Sequence, residues 1–346
     1  MERLAHIIET QQFTVPWLEE DFFPLVDEMD ELLDKREKGL INSPVRTDLT
    51  GKNVVEFFYG ASTRTMLTFQ FATRELNAVN FATDNAGISS SAAKGESLRD
   101  TIKVISSYRS VDVIAVRTPI SQKPEEQQLV LKDAVPFSTK PIINAGDRND
   151  QHPTQTLIDL YTIKRGKGKI GGLIIGLGGD VGGSRTVRSL IYLAAKYLGT
   201  KFIIISPKMT RLPNDLRNHL QENHIDFQEV NDVREVAPIL DVYYVVRIQT
   251  ESSNEKGRLL FMPKYGTPTF WSVNQEVLDL LPEEAIILHP LPRTQDELPY
   301  KTDSDPRSRY FQQAKWGDVV RMALLLTILK EPYKTNFLKK TNPLVL

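Results

Sequence analysis

The sequence predicts an α/β protein made of two doubly wound parallel-sheet domains of similar size, joined by a hinge. Apolar strand candidates alternate with amphipathic helical segments, and the 346 residues exceed what one hydrophobic core usually serves. The strand candidates are 53–58, 112–116, 141–144, 172–177, 202–206, 241–246 and 285–288. The helical segments between them include 63–77, 97–107, 154–165, 185–198 and 212–223.

One turn-rich stretch, 144–151, interrupts this series and precedes a long helical pattern. We place the domain boundary there, with a hinge near 145–152, so that the domains are predicted to span 1–147 and 148–304. Two further segments, 16–39 and about 308–330, carry apolar residues at helical spacing. Such faces are typical of packing surfaces, and we interpret both segments as terminal helices.

The composition excludes several classes of protein. Lysine and arginine number 43 against 44 acidic residues, so the charge gives no reason to expect nucleic acid or a membrane surface as a partner. The absence of cysteine rules out disulfides, thiolate metal sites and a cysteine nucleophile. No apolar run approaches the roughly 20 residues that cross a bilayer, and the N-terminus lacks a secretory-signal core. We therefore expect a cytoplasmic protein.

The segment 54–65 runs from an apolar strand directly into a helix that begins with hydroxyl groups and a guanidinium. A helix N-terminus offers unpaired N–H groups and the positive end of the helix dipole. With Ser62, Thr63, Thr65 and the fork of Arg64, it can hold a phosphate. The alternative is an ordinary helix cap, which serine and threonine commonly form.

A glycine-rich loop at 176–183 raises the alternative of a dinucleotide-binding fold. Val181 stands where the third glycine of the G-x-G-x-x-G pattern belongs, and the next strand ends at Ser206 without an acidic residue for a ribose. We therefore expect no nicotinamide cofactor. No H-E-x-x-H helix or histidine–carboxylate cluster suggests a metal.

Two further segments have functional and structural interpretations that the sequence leaves open. The stretch 151–156 places His152 and Gln155 at a helix start after the hinge; it is either a binding site or a proline-initiated helix end. The turn 289–293 contains Pro290 and Pro292, which lack N–H donors and leave carbonyl oxygens able to accept from an amide. It is either a site or a plain strand-ending loop.

Single arginines follow strands or loops at three other places: Arg117, Arg185 and Arg247. The carboxyl ends of parallel strands are where open α/β sheets bind ligands. Together with Arg64 and Gln249, these arginines suggest a ligand that carries several negative charges.

Six motifs, in order along about 45–330, resemble the aspartate/ornithine carbamoyltransferase family. They are Ser62-Thr63-Arg64-Thr65, Lys94-Gly95-Glu96, Val116-Arg117-Thr118-Pro119, His152-Pro153-Thr154-Gln155, Ser184-Arg185-Thr186-Val187 and His289-Pro290-Leu291-Pro292. The last motif and Arg247-Ile248-Gln249 are similar to the aspartate branch of the family, whose ornithine branch typically has cysteine in that turn.

The resemblance implies a carbamoyl-phosphate domain, then an amino-acid domain, then a helix of about 305–330 that returns to the first. It also implies a homotrimer without cofactors, in which Ser90 and Lys94 reach a neighbour's site; the neighbouring Ser89 and Ser91 leave the serine assignment open. The carbamoyl-phosphate group of residues is Ser62, Thr63, Arg64, Thr65, Ser90, Lys94, Arg117, His152, Gln155, Pro290 and Leu291. The aspartate group is Lys94, Arg185, Arg247, Gln249, Leu291 and Pro292.

The resemblance further implies catalytic roles for Arg64, Thr65, Lys94, Arg117 and His152 in carbamoyl transfer to aspartate, a step of pyrimidine synthesis. Departures from the family pattern are Met66, Ala92-Ala93, Arg148 and the 250–256 segment. Three readings therefore stay open: transfer to aspartate, transfer to another amino acid, and an anion-binding regulatory paralogue. A separate regulatory chain also stays open as a partner.

Overall fold

A computed structural model describes residues 6–60, 62–89, 91–118, 131–147, 150–248 and 270–329. The chain divides into two compact units: Met1–Thr154 with Trp316–Leu346, and Gln155–Lys315. The predicted boundaries, after residues 147 and 304, lie earlier in the chain than these limits. The extents of the two functional domains stay a prediction.

Strands and helices alternate through the described residues. The strands are β1 (Asn53–Phe58), β2 (Val79–Thr83), β3 (Val113–Arg117), β4 (Ile142–Asn144), β5 (Ile174–Gly179), β6 (Lys201–Ile205), β7 (Phe227–Val230), β8 (Val242–Val246) and β9 (Ile286–Leu288). The α-helices are α1 (Phe23–Glu37), α2 (Thr63–Glu75), α3 (Ala86–Ser89), α4 (Leu98–Ser107), α5 (Leu131–Ala134), α6 (Pro153–Lys167), α7 (Arg185–Ala194), α8 (Asn214–Glu222), α9 (Gln275–Leu280), α10 (Tyr310–Lys315) and α11 (Gly317–Leu329). Short 3₁₀ turns occupy Thr10–Gln12, Ser91–Lys94, Val135–Phe137, Lys208–Thr210, Val233–Glu235, Ala237–Ile239 and Tyr300–Ser304.

The first unit is built on a four-stranded sheet in the order β2-β1-β3-β4, in which every pairing is parallel. Its buried core lies between the sheet and α4, and includes Ile102, Ile114 and Val116. Helix α11 packs against α2 and α1, so the end of the described chain returns to the first unit as predicted. The sequence pattern did not predict two features of these helices. Helix α1 follows a wider π-helical segment, Trp17–Phe22, and the single helix predicted at about 308–330 is divided into α10 and α11.

The second unit carries a five-stranded sheet in the order β7-β6-β5-β8-β9, also parallel throughout. Buried aliphatic and aromatic residues of β6, β8 and β9 form its core with α9 and α10, including Tyr243, Ile287 and Tyr310. Two parallel α/β sheets with helices between the strands confirm the predicted fold class.

Two strands, β2 and β7, were not predicted from the sequence. Both lie at the outer edge of their sheet, and neither contains a buried residue. An edge strand need not carry the continuous apolar run that identifies a strand covered on both faces. The missing signal is therefore a consequence of where these strands lie.

The glycine-rich loop after β5 is explained by close packing. A Cβ atom on Gly178 would lie 2.5 Å from the hydroxyl oxygen of Tyr243, and one on Gly179 would overlap the carbonyl oxygen of Val246. Gly179 also has a φ of +104°, in the left-handed region that favours glycine. These glycines let β5 lie directly against β8.

Among the described residues, no helix is both long enough and apolar enough to cross a membrane.

We predict that Gly179→Ala destabilises the protein by more than about 3 kcal/mol, because backbone atoms of β8 occupy the space of the new methyl group. Gly168→Ala is the matched control, since Gly168 also has positive φ (+72°) but open space around its Cα. It should cost about 1–2 kcal/mol, the strain of the backbone alone. Urea unfolding followed by circular dichroism measures both, and equal losses would contradict the packing explanation.

Candidate active site

Three predicted site segments of the first unit follow three adjacent strands. Residues 62–65 follow β1, Arg117 ends β3, and His152 comes shortly after β4. The parallel register pairs Phe58 with Arg117 and Val116 with Asn144, so these strands end level with one another. The three segments therefore share the carboxyl edge of one sheet, the edge at which such sheets bind ligands.

The start of α2 presents polar groups that the protein itself does not use. Ser62 occupies the N-cap position, but its side chain makes no capping hydrogen bond. Among the described residues, the exposed Arg64 side chain makes no hydrogen bond or ion pair, and partial desolvation of its guanidinium lowers its pKa. A cation in the first turn is disfavoured by the helix dipole. The ordinary-cap interpretation thus fails for Ser62, and the arrangement is suited to an anion.

Thr63 and Thr65 belong to the same first turn and differ in exposure. Thr63 is exposed, whereas Thr65 is buried at 7% exposure. The next polar side chain of the helix, Thr68, donates back to the carbonyl oxygen of Arg64 at 2.7 Å and so does not compete for a ligand. The first turn of α2 therefore carries one exposed and one buried hydroxyl group next to the Arg64 guanidinium.

Arg117 is tied to the neighbouring strand ends. Its carbonyl oxygen accepts from the backbone N–H of Tyr59 at 2.9 Å, and its guanidinium donates to the carbonyl oxygen of Ala145 at 3.4 Å. The side chain is half-buried. Contacts to the segments that follow β1 and β4 fix a second cation at the same edge as α2.

His152 is buried at 4% exposure, immediately before α6. Its Nδ1 lies 3.4 Å from the hydroxyl of Thr154, and that hydroxyl also accepts from the Arg321 guanidinium at 3.3 Å. Arg321 is a fully buried residue of α11, where burial lowers its pKa to about 10. Arg321 could not be predicted from the sequence, because nothing local connects the helix 317–329 with His152.

The segment after β2 carries the remaining predicted residues of the first unit. Lys94 ends a short 3₁₀ turn, is exposed, and makes no ion pair within the described part of the chain. Ser90 and the side chains of Ser89 and Ser91 lie outside the described part of the chain. The serine assignment therefore stays a prediction.

In the second unit, predicted residues again follow adjacent strands. Arg185 is the first residue of α7, after the loop that follows β5, and Arg247 comes directly after β8. Ser184 caps α7 by accepting from the N–H of Val187 at 3.3 Å, which fixes the start of the helix at Arg185. Two half-buried arginines thus lie past the carboxyl ends of paired strands. Gln249 lies outside the described residues.

The turn after β9 is held by a buried histidine. Leu291 has a φ of +55° and precedes a cis peptide bond to Pro292. Its N–H donates to Nδ1 of His289 at 2.8 Å, which leaves the ring proton on Nε2, 3.4 Å from Glu297. Burial would raise the pKa of Glu297, but the nearby His289 ring and hydrogen bonds from the backbone N–H and hydroxyl of Thr294 lower it below the usual value.

The same turn offers acceptors. Within the described part of the chain, no group donates to the carbonyl oxygens of Pro290 and Leu291. The half-buried Pro290 and Leu291 and the exposed Pro292 follow β9, the strand next to β8. The turn therefore has the acceptor character that its prolines predicted.

Gln155 lies in the first turn of α6 and donates through Nε2 to Asp159 at 2.8 Å. Asp159 and its other partners, Tyr244 and Gln313, were not identified from the sequence. The four-residue spacing between Gln155 and Asp159 was a readable signal, whereas Gln313 is 154 residues away from Asp159.

Across the described ranges, no group of three or more histidine, aspartate or glutamate side chains is arranged to hold a metal ion.

Comparison with protein families matches both units. Residues 5–165 match the carbamoyl-phosphate-binding domain of aspartate/ornithine carbamoyltransferases, and residues 171–328 match the Asp/Orn-binding domain. Aspartate carbamoyltransferase, chloroplastic, of Oryza sativa subsp. japonica is 40% identical over 328 residues, which cover 94% of this chain and 85% of the rice protein.

Solved structures are similar over nearly the full chain. The catalytic subunit of M. jannaschii aspartate transcarbamoylase has a TM-score of 0.79 and 35% identity, covering 95% of this chain and 99% of that one. Aspartate transcarbamoylase of Trypanosoma cruzi, in complex with N-(phosphonacetyl)-L-aspartic acid, has a TM-score of 0.79 and 29% identity, covering 94% and 96%. Because both family domains match and the rice relative is 40% identical over most of the chain, this chain belongs to the aspartate/ornithine carbamoyltransferase family.

Proposed function

We propose that this protein transfers the carbamoyl group of carbamoyl phosphate to the α-amine of L-aspartate, giving N-carbamoyl-L-aspartate and phosphate for pyrimidine synthesis. The observation that carries the proposal is the start of α2, where Ser62 leaves its helix uncapped and Arg64 has no partner among the described residues. A phosphate would satisfy both and offset the unfavourable placement of a cation at a helix N-terminus.

In this reaction, residues 62–65 bind the phosphate with Arg117 and with Lys94 and Ser90 of a neighbouring chain. Thr65, Arg117 and His152 donate to the carbamoyl oxygen, where negative charge develops as the amine attacks. One such donor is worth about 3–4 kcal/mol in the transition state. No covalent enzyme intermediate is needed, because the departing phosphate accepts the proton that the amine loses.

The remaining residues orient the two substrates. Gln155 and the carbonyl oxygens of Pro290 and Leu291 accept from the carbamoyl NH2. Arg185, Arg247 and Gln249 bind the carboxylates of aspartate, with Lys94, Leu291 and Pro292 beside them. Paired arginines past β5 and β8 favour a dicarboxylate acceptor over ornithine, whose side chain is cationic.

We further propose a homotrimer with shared sites. On α2 and the edge strand β2, four large apolar side chains are 43–56% exposed: Leu67, Phe71, Val79 and Phe81. Exposed apolar residues on an edge strand favour association with another chain. Lys94 follows the same strand, so a neighbour that covers this surface would receive it near its own site.

We place the protein in the cytoplasm, and the absence of cysteine is compatible with a reducing compartment. A separate regulatory chain is compatible with this proposal and is not needed for the chemistry.

We predict that Arg64→Gln lowers kcat/KM for carbamoyl phosphate by about 10²–10³, because it removes the guanidinium from the phosphate seat. Arg74→Gln is the matched control: Arg74 is the same residue type, exposed in the last turn of the same helix. It should leave the rate within about twofold of wild type. The assay measures carbamoyl-phosphate-dependent formation of ureido product from aspartate and, separately, from ornithine.

Turnover of ornithine but not aspartate would refute the acceptor assignment. A wild-type protein that binds phosphate and turns over neither amine would instead indicate an anion-binding protein.

We predict that Lys94→Ala and His152→Ala chains, each with little activity alone, regain activity when they are mixed and reassembled. If each site takes Lys94 from one chain and His152 from the next, about a quarter of the sites in random trimers are intact. Each variant reassembled with itself is the control. Mixtures that stay as inactive as the separate variants would show that a single chain supplies the whole site.

A further inference from the structure

A fully buried carboxyl group, Asp159, lies one helical turn after Gln155 in the second unit. Its side chain accepts three hydrogen bonds: from Nε2 of Gln155 at 2.8 Å and Nε2 of Gln313 at 2.6 Å, both to Oδ1, and from the hydroxyl of Tyr244 at 3.0 Å to Oδ2. These partners come from α6, α10 and β8, and Gln313 is itself 1% exposed. The carboxyl group and two of its three partners, Tyr244 and Gln313, are thus shielded from solvent.

The direction of these hydrogen bonds is fixed by a backbone group. The N–H of His289 donates to Oε1 of Gln313 at 3.0 Å, and a backbone N–H can only donate. The opposite end of the Gln313 amide, its NH2, must therefore face Asp159. It follows that Oδ1 of Asp159 acts as an acceptor.

Because Oδ1 accepts, Gln155 must also turn its NH2 toward Asp159. The other end of the Gln155 amide is its carbonyl oxygen, Oε1, which faces away from Asp159. No group of the described residues donates to this oxygen. The half-buried Gln155 thus presents an acceptor and not a donor. An acceptor is what the NH2 of a carbamoyl group requires.

The network also reaches the second set of acceptors. Gln313 links Asp159 to the backbone of His289, and His289 in turn accepts from the N–H of Leu291 at 2.8 Å. The carbonyl oxygens of Pro290 and Leu291 belong to this turn. One carboxyl group is therefore connected to both protein segments assigned to the carbamoyl nitrogen.

We propose that Asp159 is a positioning residue that sets the enzyme's selectivity for a carbamoyl group over an acyl group without N–H donors. The inference rests on the proposed function, since it assigns Gln155, Pro290 and Leu291 to the carbamoyl NH2. Asp159 acts by holding the Gln155 amide in one orientation and by anchoring the 289–292 turn through Gln313.

The protonation of Asp159 does not change this geometry. Burial raises the pKa of the group to about 7, although the three hydrogen bonds favour the charged form. When a proton is bound, Oδ2 can carry it and donate to the Tyr244 hydroxyl, which can reverse its role. Oδ1 continues to accept from both amides.

The test compares carbamoyl phosphate with acetyl phosphate, whose methyl group replaces the NH2. The measured quantity is the ratio of the KM of carbamoyl phosphate to the inhibition constant of acetyl phosphate, with Tm recorded for each variant. Asp159→Ala should reduce the preference for carbamoyl phosphate by about ten- to a hundredfold, because the Gln155 amide loses the acceptor that orients it. Asp159→Asn keeps an oxygen that can face both amides and should stay within about threefold of wild type.

Tyr244→Phe is the matched control, because it removes a hydrogen bond from the same carboxyl group and leaves Oδ1 untouched. It should lower Tm without changing the preference. A folded Asp159→Ala protein that retains the wild-type preference would overturn the inference, as would an equal loss in Tyr244→Phe. A wild-type protein without carbamoyl transfer would refute the proposed function instead.

A crystal structure of the wild-type protein with carbamoyl phosphate provides a second test that does not depend on whether Asp159→Ala folds. The Gln155 amide should contact Asp159 at one end and the carbamoyl nitrogen at the other. A Gln155 side chain turned away from Asp159 in that complex would contradict the proposal.

Discussion

The parallel direction of every strand is the constraint on which the candidate site depends. In a parallel sheet all carboxyl ends lie at one edge, so residues that follow different strands are brought together however far apart they are in sequence. In the first unit this applies to residues 62–65, Arg117 and His152. In the second it applies to Arg185, Arg247 and the 289–292 turn. Antiparallel pairing would send alternate segments to opposite edges.

At these edges, two helices begin with residues that lower the stability of the helix itself. Arg64 and Arg185 both place a cation in the first turn of a helix, where the dipole opposes it. A cap at Ser62 would contribute about 1 kcal/mol to α2, yet its side chain makes no capping bond. Such local costs are typical of positions whose polar groups serve a ligand. An anion at the start of α2 would offset them directly.

Within each unit, buried polar groups hold predicted site residues in place. Arg321 fixes Thr154 beside His152 in the first unit, and Asp159 links Gln155, Tyr244 and Gln313 in the second. Burying a charged group is costly unless several hydrogen bonds compensate for lost water. The three donors to Asp159 provide that compensation and restrict each partner to one orientation. The burial of Asp159 is costly in free energy, but it gives the Gln155 amide a defined orientation.

The sequence by itself determined the alternation of strands and helices, the phosphate-suited helix start and the acceptor character of the 289–292 turn. Each of these depends on neighbouring residues: apolar runs, hydroxyl groups at a helix start, and prolines that lack N–H. It did not reveal β2 and β7, whose exposed edges need no apolar run, or the break between α10 and α11.

Only the tertiary structure decided that the glycines of the 176–183 loop serve packing against β8, and that Arg321 and Gln313 support His152 and Gln155. The physical reason is that such contacts join residues that lie far apart in the sequence. Their chemistry is ordinary in the sequence and becomes specific only where the fold excludes water and places the partners within hydrogen-bond distance.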